Sequence, residues 1–543
     1  MKKVFISACA LAMFMAQAHA QETYENTKVV DNDLNGTARY VGMGGAMEAL
    51  GADVSTISSN PAGIGLYRHS SASVSFGMVS QDETANFQYG NKTNMSFDQA
   101  GIVYSRRTGN RSFFNVAFNY HKSKNFDYIL SAAGNLSNAS QNALSYIKAL
   151  GSTDASGETT YDISKSGNTY RGNNVYTSQL DDLYYNAFLI SGGQIGYNNA
   201  SGYSFGRANT GYIGEYDFNI SGNINERVYL GLTIGVHDVH YKGQSLYTEQ
   251  ILSTNESGQQ VSDGTLTVND ERRITGTGYS LSAGVIFRPV ENSPFRIGLS
   301  VSTPTWYDLT TENRTYLINN TSVTADNGNY TTGEAYDFKT YTPWKFGLSL
   351  GHTVGNYLAL GASYEYADYS HLDSRINDGS YYDAWGDVYS NSHSDENMDS
   401  HTRETLKGVS TLKLGVEYRP MKQLAFRVGY NYVSPMFRTE GYKNGAIDSY
   451  GSNYSSATDY TNWKATNRFT VGLGYNVGNF SFDLAYQYSQ TNGEFHPFMD
   501  SYGDYYQKDA SGTVQKYSID NYADAVKVSN KRNQLLFTMS YTF

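Results

Sequence analysis

The residues whose type and spacing most invite chemistry are His237 and His240, because two imidazoles within reach of one another can ligate haem iron or a metal ion. Around them Leu230, Leu232, Ile234 and Val236 form an alternating apolar row, which reads as a β-strand. In a strand, positions three apart point to opposite faces. Counted from the apolar row, His237 faces inward and His240 outward, so the two share no ligand and each reads as a solvated or interfacial histidine. A second cluster runs from Asp383 to Asp399 and includes Asp387, Asp395 and Glu396. Carboxylate oxygens suit Ca²⁺, but the stretch lacks a regular calcium-loop pattern and reads as a solvated external loop that bridges divalent cations to lipopolysaccharide. The sequence holds neither an H-E-x-x-H pattern nor a P-loop. No catalytic residue, metal ligand or cofactor is assigned, and the chain reads as a non-enzyme.

The single cysteine, Cys9, falls in a segment with the marks of a secretory leader: Lys2 and Lys3, an apolar stretch from Val4 to Met15, and Ala18-His19-Ala20 as the cleavage site. Residues 1–20 are therefore read as a signal peptide, and the mature chain, from Gln21, has no thiol chemistry. A net charge of −11 argues against a nucleic-acid partner, since phosphate affinity rests on Lys and Arg. With 49 Tyr and 53 Gly against 8 Pro, and no later run near the roughly 18 apolar residues of a membrane helix, the chain is an exported, aromatic, glycine-rich β protein.

The scaffold that must position any site is clearest at the C-terminus. In QLLFTMSYTF, Leu535, Phe537, Met539, Tyr541 and Phe543 alternate with Thr538, Ser540 and Thr542. One face could meet lipid and the other a wet lumen, and the terminal aromatic resembles the last strand of outer-membrane barrels. Elsewhere Phe426, Val428 and Tyr430 alternate with Arg427 and Asn431, and Leu484 and Tyr486 with Asp483 and Gln487. A transmembrane barrel places charges such as Lys413, Glu417, Arg427, Glu365 and Asp483 inside. Aromatics such as Tyr364, Tyr366, Tyr486, Tyr488, Tyr541 and Phe543 suit its interfacial girdles.

Fourteen such strands are predicted, near residues 70–80, 97–107, 111–122, 211–222, 227–242, 272–289, 294–304, 340–352, 356–369, 404–419, 423–437, 464–477, 479–491 and 527–543. Short connectors alternate with long ones at 123–210, 305–339, 370–403 and 438–463, the asymmetry of short periplasmic turns and long external loops. Both chain ends then fall on the periplasmic side. A secreted adhesin or propeller is the competing architecture, but no blade-length repeat is visible. The expected fold is an all-β, fourteen-stranded antiparallel transmembrane barrel over residues 67–543.

About eight strands enclose a lumen that side chains alone can fill, so fourteen need a plug or leave a pore. Residues 21–66 are the candidate hatch. Ala38 to Leu50 has helical spacing, Gly51-Ala52-Asp53 would end that helix, and Ser58-Ser59-Asn60-Pro61 is turn chemistry. Gly42, Gly44, Gly45, Ala46 and Ala49 let backbone lie close to backbone, which suits a packed plug.

The run Ala38-Arg39-Tyr40-Val41-Gly42-Met43-Gly44-Gly45-Ala46, then Ala52-Asp53-Val54-Ser55-Thr56 and Asn60-Pro61-Ala62-Gly63, resembles the N-terminal hatch of the FadL/TodX-type outer-membrane transport proteins. The resemblance implies a monomeric barrel in the bacterial outer membrane, inserted by the barrel-assembly machinery and in contact with lipid and lipopolysaccharide. It further implies passive uptake of a hydrophobic small molecule, such as a long-chain fatty acid or an aromatic hydrocarbon, through the lumen and out sideways through the wall. Asn60, Pro61 and Ala62 would hold the hatch near that exit, and no Gly or Pro in Ser112 to Lys122 marks the expected kink of the third strand. Amphipathic stretches in the loop 123–210, with Ala139, Ala143, Ile147 and Leu150 on one and Leu180, Leu183, Ala187 and Phe188 on the other, predict an external capture groove or, alternatively, mutual packing above the barrel. The alternatives to uptake are a structural or secretion-associated barrel and a haemin-binding receptor.

Overall fold

The computed structural model describes residues 22–543 apart from 324, 326, 327, 383–387, 446, 448, 450–455 and 510. The leader 1–20 and the first part of the acidic stretch 383–399 lie outside the described residues. Antiparallel ladders join fourteen strands into one closed ring: β1 (Ser71–Gln81), β2 (Thr93–Arg107), β3 (Phe113–Asn125), β4 (Ala200–Ile224), β5 (Val228–Thr254), β6 (Gln260–Phe287), β7 (Arg296–Ser302), β8 (Lys345–Val354), β9 (Leu358–Asp368), β10 (Gly408–Met421), β11 (Leu424–Val433), β12 (Tyr460–Val477), β13 (Phe480–His496) and β14 (Val526–Thr542). Closure comes from the ladder between β1 and β14, which runs from Ser71↔Thr542 to Gln81↔Arg532.

Each expected strand is present, and the alternation has the expected sense. On β14, Leu535, Phe537 and Met539 are exposed outward, whereas Leu536 and Thr538 are buried. Leu232, Leu299, Leu348, Leu414 and Val428 continue the outward apolar belt around the ring. An exposed belt of this kind is stable only against lipid. Among the described residues no helix is long and apolar enough to cross a membrane. The chain is thus a transmembrane barrel of the outer-membrane type.

The sequence understates the height of three strands. β4, β5 and β6 are 25, 27 and 28 residues long, against the roughly 9–11 residues that cross a bilayer. Above the belt their outward face turns polar, as at Asp238, His240 and Lys242, and the pairing continues into the external space. There the strand Tyr128–Ala139 takes over from β3 as the partner of β4. A hairpin of Trp306–Thr321 and Tyr330–Tyr341 extends the wall beside β6.

Two helices in the loop after β3 complete an external roof. The first, α3 (Gln141–Ala149), is capped by Ser140, whose hydroxyl accepts from Ala143 N at 3.2 Å. The second, α4 (Gln179–Tyr184), has a capping box between Ser178 and Asp181. Lys148 joins the two through Asp181 at 2.8 Å. Burial pushes the Asp181 carboxyl up, but Lys148 and the hydrogen bonds around it hold it below its usual range. Ala139, Leu180, Leu183, Ala187 and Phe188 are buried in one cluster with Tyr203, Phe205 and Phe495, Ile147 and Leu150 pack against it, and Ala143 is buried too. The open capture groove is corrected to the packing alternative: these side chains are the core of the roof.

Candidate functional site

Residues 22–66 lie inside the ring and occupy it from end to end. The helix expected over Ala38 to Leu50 is shorter than its spacing suggests: α2 spans Ala38–Gly42 and gives way to turns. The cause is local. Gly44 and Gly45 take φ of +64° and +81°, a left-handed conformation that ends a right-handed helix.

Those turns fit a wall made to receive them. From β5 to β12 each strand carries a glycine whose missing Cβ leaves the space that hatch atoms fill: Gly231, Gly284, Gly298, Gly351, Gly361, Gly415, Gly429 and Gly472. Gly351, Gly361, Gly415 and Gly429 are direct cross-strand partners, so they form one transverse row. A Cβ on Gly472 would stand 3.2 Å from the Gly42 Cα, and one on Gly351 would stand 3.0 Å from the Ala49 carbonyl carbon. The close backbone approach expected of the hatch glycines is therefore met by glycines of the wall, which the sequence reading overlooked.

Backbone carbonyls left free by the short helix and turns find wall side chains. Thr470 Oγ1 donates to Gly42 O at 3.2 Å, Asn431 Nδ2 to Gly44 O at 3.4 Å, Arg296 to Leu50 O at 2.9 Å and Thr233 Oγ1 to Ile57 O at 2.8 Å. The predicted lumenal charges do the same for charged hatch groups. Lys413 pairs with Glu48 at 2.7 Å, and Arg39 with Glu417 at 3.2 Å; Glu417 and Asp483 in turn each hold Arg427 at 2.6 Å. A buried polar group is tolerable only when paired.

Asn60 caps a 3-10 helix, Pro61–Leu66, by accepting from Ala62 N at 3.2 Å. This segment presses on β3 to β7: Asn115 donates to Ile64 O at 2.8 Å, Asn219 to Pro61 O at 3.4 Å, and Gly231 and Gly284 face Pro61 and Ala62. Gly63 packs within the hatch, its carbonyl accepting from Ala52 N at 3.0 Å.

The wall is irregular elsewhere, between β2 and β3. Their ladder stops at Gln99↔His121. Above it, Thr93–Phe97 of β2 pair only with β1 among the described residues, Asp98 being the extra residue of a bulge in that ladder, and β3 stays with β4 through a bulge at Ser123. The Ser123 carbonyl accepts from hatch Asp33 N at 2.8 Å, and Asn35 Nδ2 donates to Lys122 O and Asp98 Oδ1, each at 2.9 Å. The bulge forms without Gly or Pro in β3: Ser123 is the extra residue between the pairs Lys124↔Ile213 and Lys122↔Gly214. Asp33 and Asn35 are the hatch residues that bond to the strands at this break, whereas Asn60 to Ala62 lie against β4 to β7. Outside, Phe97 and Tyr120 stack at 5.6 Å beside the break, and Lys122 Nζ crosses it to Ser96 Oγ at 2.5 Å.

Above the hatch turns lies a cavity of about 440 Å³. Its lining mixes aromatic side chains, Tyr24, Phe126, Tyr241, Tyr307 and Trp463 among them, with charged ones such as Lys413, Arg468 and Arg532, and it reaches Ser123 to Phe126 of the bulge. The N-terminal tail closes it from above. In α1 (Thr23–Asn26), Tyr24 stacks on Phe437 at 5.1 Å and Glu25 is paired with Arg272, while Thr23 contacts α5 (Glu396–Thr405) through Thr402 at 2.9 Å. Asp395, from the acidic stretch, caps α5 by accepting from Met398 N at 3.1 Å.

His237 and His240 diverge as expected: His237 is buried in the lumen, 2.9 Å from Ser280 Oγ, and His240 is half-exposed outside, 2.9 Å from Asp238. Two G-x-S-x-G strings, Gly202–Gly206 and Gly347–Gly351, run within barrel strands and not at the strand-to-helix elbow that such a nucleophile requires.

No family model and no curated protein matches this chain. Among solved structures it is similar to the Ralstonia pickettii toluene transporter TbuX, at 14% identity and a TM-score of 0.45 over 94% of this chain and 99% of that one. A Pseudomonas aeruginosa FadL homologue is similar at 11% identity and 0.46, over 95% and 100%. The Pseudomonas putida toluene transporter TodX is similar at 9% identity and 0.44, over 95% and 100%. These likenesses are of outline only; the ladder closure, the outward apolar belt and the enclosed N-terminus are what define this chain as a plugged transmembrane β-barrel.

Proposed function

We propose that this barrel lies in the bacterial outer membrane and passively takes up a hydrophobic small molecule, in the manner of the FadL/TodX-type transporters. The solute enters beneath the external roof, rests in the lumenal cavity and leaves sideways into the membrane between β2 and β3. The observation that carries this reading is the end of the β2–β3 ladder at Gln99↔His121, beside a cavity that reaches the bulged top of β3. A lining that holds both aromatic and charged side chains suits a molecule with an apolar body and a polar end, a long-chain fatty acid among them. No P-loop is present to couple the step to nucleotide hydrolysis, so movement follows the gradient. The barrel acts as a monomer, its belt against lipid and its loops against lipopolysaccharide.

The test bridges the break. Ser96→Cys with Lys122→Cys, joined by a short cleavable bifunctional thiol reagent, should lower uptake of labelled oleate or toluene at least tenfold in cells that depend on this protein. Cleaving the linker should restore it. Full uptake with the bridge shown to be in place would sink lateral release, and failure of the unbridged wild type to import either solute would sink uptake itself.

A further inference from the structure

His121, Glu215, Asp217 and His237 play no part in fixing the plug, yet register brings them together. His121 on β3 and His237 on β5 are both direct cross-strand partners of Glu215 on β4, and Asp217 is the next inward residue of β4. His121 Nε2 lies 3.5 Å and His237 Nδ1 3.7 Å from Glu215 Oε2, and His121 Nδ1 lies 3.3 Å from Asp217 Oδ2. His121, Glu215 and Asp217 can each turn one donor atom to within 4.8 Å of the others. All four residues are at least nine-tenths buried. Even so, Glu215 Oε2, both Asp217 carboxylate oxygens and His237 Nδ1 make no hydrogen bond.

We propose that these residues form a binding site for a divalent transition-metal ion of the Zn²⁺ class. Two imidazoles and two carboxylates carry a charge of −2 in their ligating forms and match the donor set that Zn²⁺ takes. Donors held tetrahedrally at about 2.1 Å from an ion stand roughly 3.4 Å from one another, close to the 3.5 Å from His121 Nε2 and the 3.7 Å from His237 Nδ1 to Glu215 Oε2. An ion between them would occupy the lone pairs of buried carboxylate oxygens that otherwise lack a partner, and unpaired buried carboxylates are costly. The surroundings fit a site. Gly235 leaves space against Asp217, a Cβ there standing 3.4 Å from Asp217 Oδ1. Ser280 Oγ and Tyr307 fix the His237 ring, and Asn119 Nδ2 approaches His121 Nδ1 at 3.4 Å, leaving Nε2 to face Glu215. His121, Glu215 and His237 border the lumenal cavity, which is the route for an ion. Lys345 faces the cluster from β8 and is the one nearby group that opposes a cation. Binding would displace any proton the imidazoles or carboxylates hold. A bound ion would staple β3, β4 and β5 at the last rung before β3 leaves β2.

The purified full-length barrel in detergent, stripped with a chelator and desalted, is titrated with Zn²⁺ alone and with Co²⁺ alone. One equivalent should bind at micromolar concentration or below, with visible Co²⁺ ligand-field bands. Asp217→Asn and His121→Gln should each weaken binding at least tenfold in protein whose heat-modifiable migration shows a folded barrel, and Lys345→Met should tighten it several-fold. Absence of saturable binding by folded wild type would overturn the site, and the cluster would then be a proton-sharing network. Binding that survives Asp217→Asn combined with His121→Gln would equally overturn it, since the ion would lie elsewhere.

Discussion

The arc from β8 to β12 and the arc from β2 to β4 hold the same hatch in opposite ways. On the first, cross-strand glycines let the Gly42–Leu50 backbone lie directly on the wall, and Lys413, Asn431 and Thr470 reach its charges and carbonyls. On the second, β2 and β3 part above Gln99↔His121, and there contact with the hatch passes through a few hydrogen bonds from Asp33 and Asn35 to an irregular stretch of β3, while below it Val54, Ile57 and Ile64 pack on Val103 and Ala117. The first arc seals at the level of its glycine row, where hatch backbone lies against the wall. The second can change, because few bonds must break for β3 to move.

That contrast can be broken most forcefully at Lys413. Replacing it with Met leaves the Glu48 carboxylate buried without its cation, a type of loss that costs about 3–5 kcal/mol. The hatch should loosen from the sealing arc, seen as a lowered unfolding midpoint and as ion conductance in planar bilayers that the parent barrel does not show. Gly429→Ala and Gly415→Ala come next. Each pushes a methyl group into hatch backbone and should cost about 1–3 kcal/mol, the range of overpacked cores. Gly196→Ala, with nothing within 4 Å of the added carbon, is the control and should stay within about 0.5 kcal/mol of the parent.

Asn35→Ala tests the other arc. It removes three hydrogen bonds, to Lys122 O, to Asp98 and from Gln534, worth about 1 kcal/mol each, and should raise amide exchange in Lys122 to Phe126 without opening a conductance. If ions flow as they do in the Lys413 variant, the two arcs do not differ in kind.

How much of this was legible in the sequence follows the same division. The strands were readable because lipid imposes a period of two on one face, as in Leu535, Phe537 and Met539. The upper halves of β4 to β6 were not, because above the lipid Asp238, His240 and Lys242 remove that signal while the ladder goes on. The plug was recognisable from its glycines, but its helix was read too long, since spacing does not reveal that Gly44 and Gly45 take positive φ. Gly351, Gly361, Gly415 and Gly429 become a row only through register, as do His121, Glu215 and His237. Residues far apart in the chain meet through pairing that no local pattern records. The break at β3 has no local mark for the same reason: it is the point where one ladder ends and the other goes on.

A further expected effect lies in the roof, at Glu249, on the part of β5 above the lipid belt. Its carboxyl is fully buried and accepts from Gln141 N, at the start of α3, at 2.6 Å and from Tyr247 at 2.7 Å. Burial pushes it from about 4.5 up to about 7. An acid whose folded pKa exceeds its unfolded one binds more protons when folded, so its contribution is most favourable below about 4.5 and is lost progressively as pH rises to about 7 and beyond. Amide protection of α3, corrected for intrinsic exchange, should therefore fall between pH 5 and 8, while protection of Gly42 to Leu50 on the sealing arc stays constant. Glu249→Gln keeps an oxygen to accept from Gln141 but has no proton to lose, and should hold α3 protected across that range. If the hatch amides loosened in parallel with α3, roof and seal would be one cooperative unit, and the independence of the arc beneath the roof from the arc that seals would have to be abandoned.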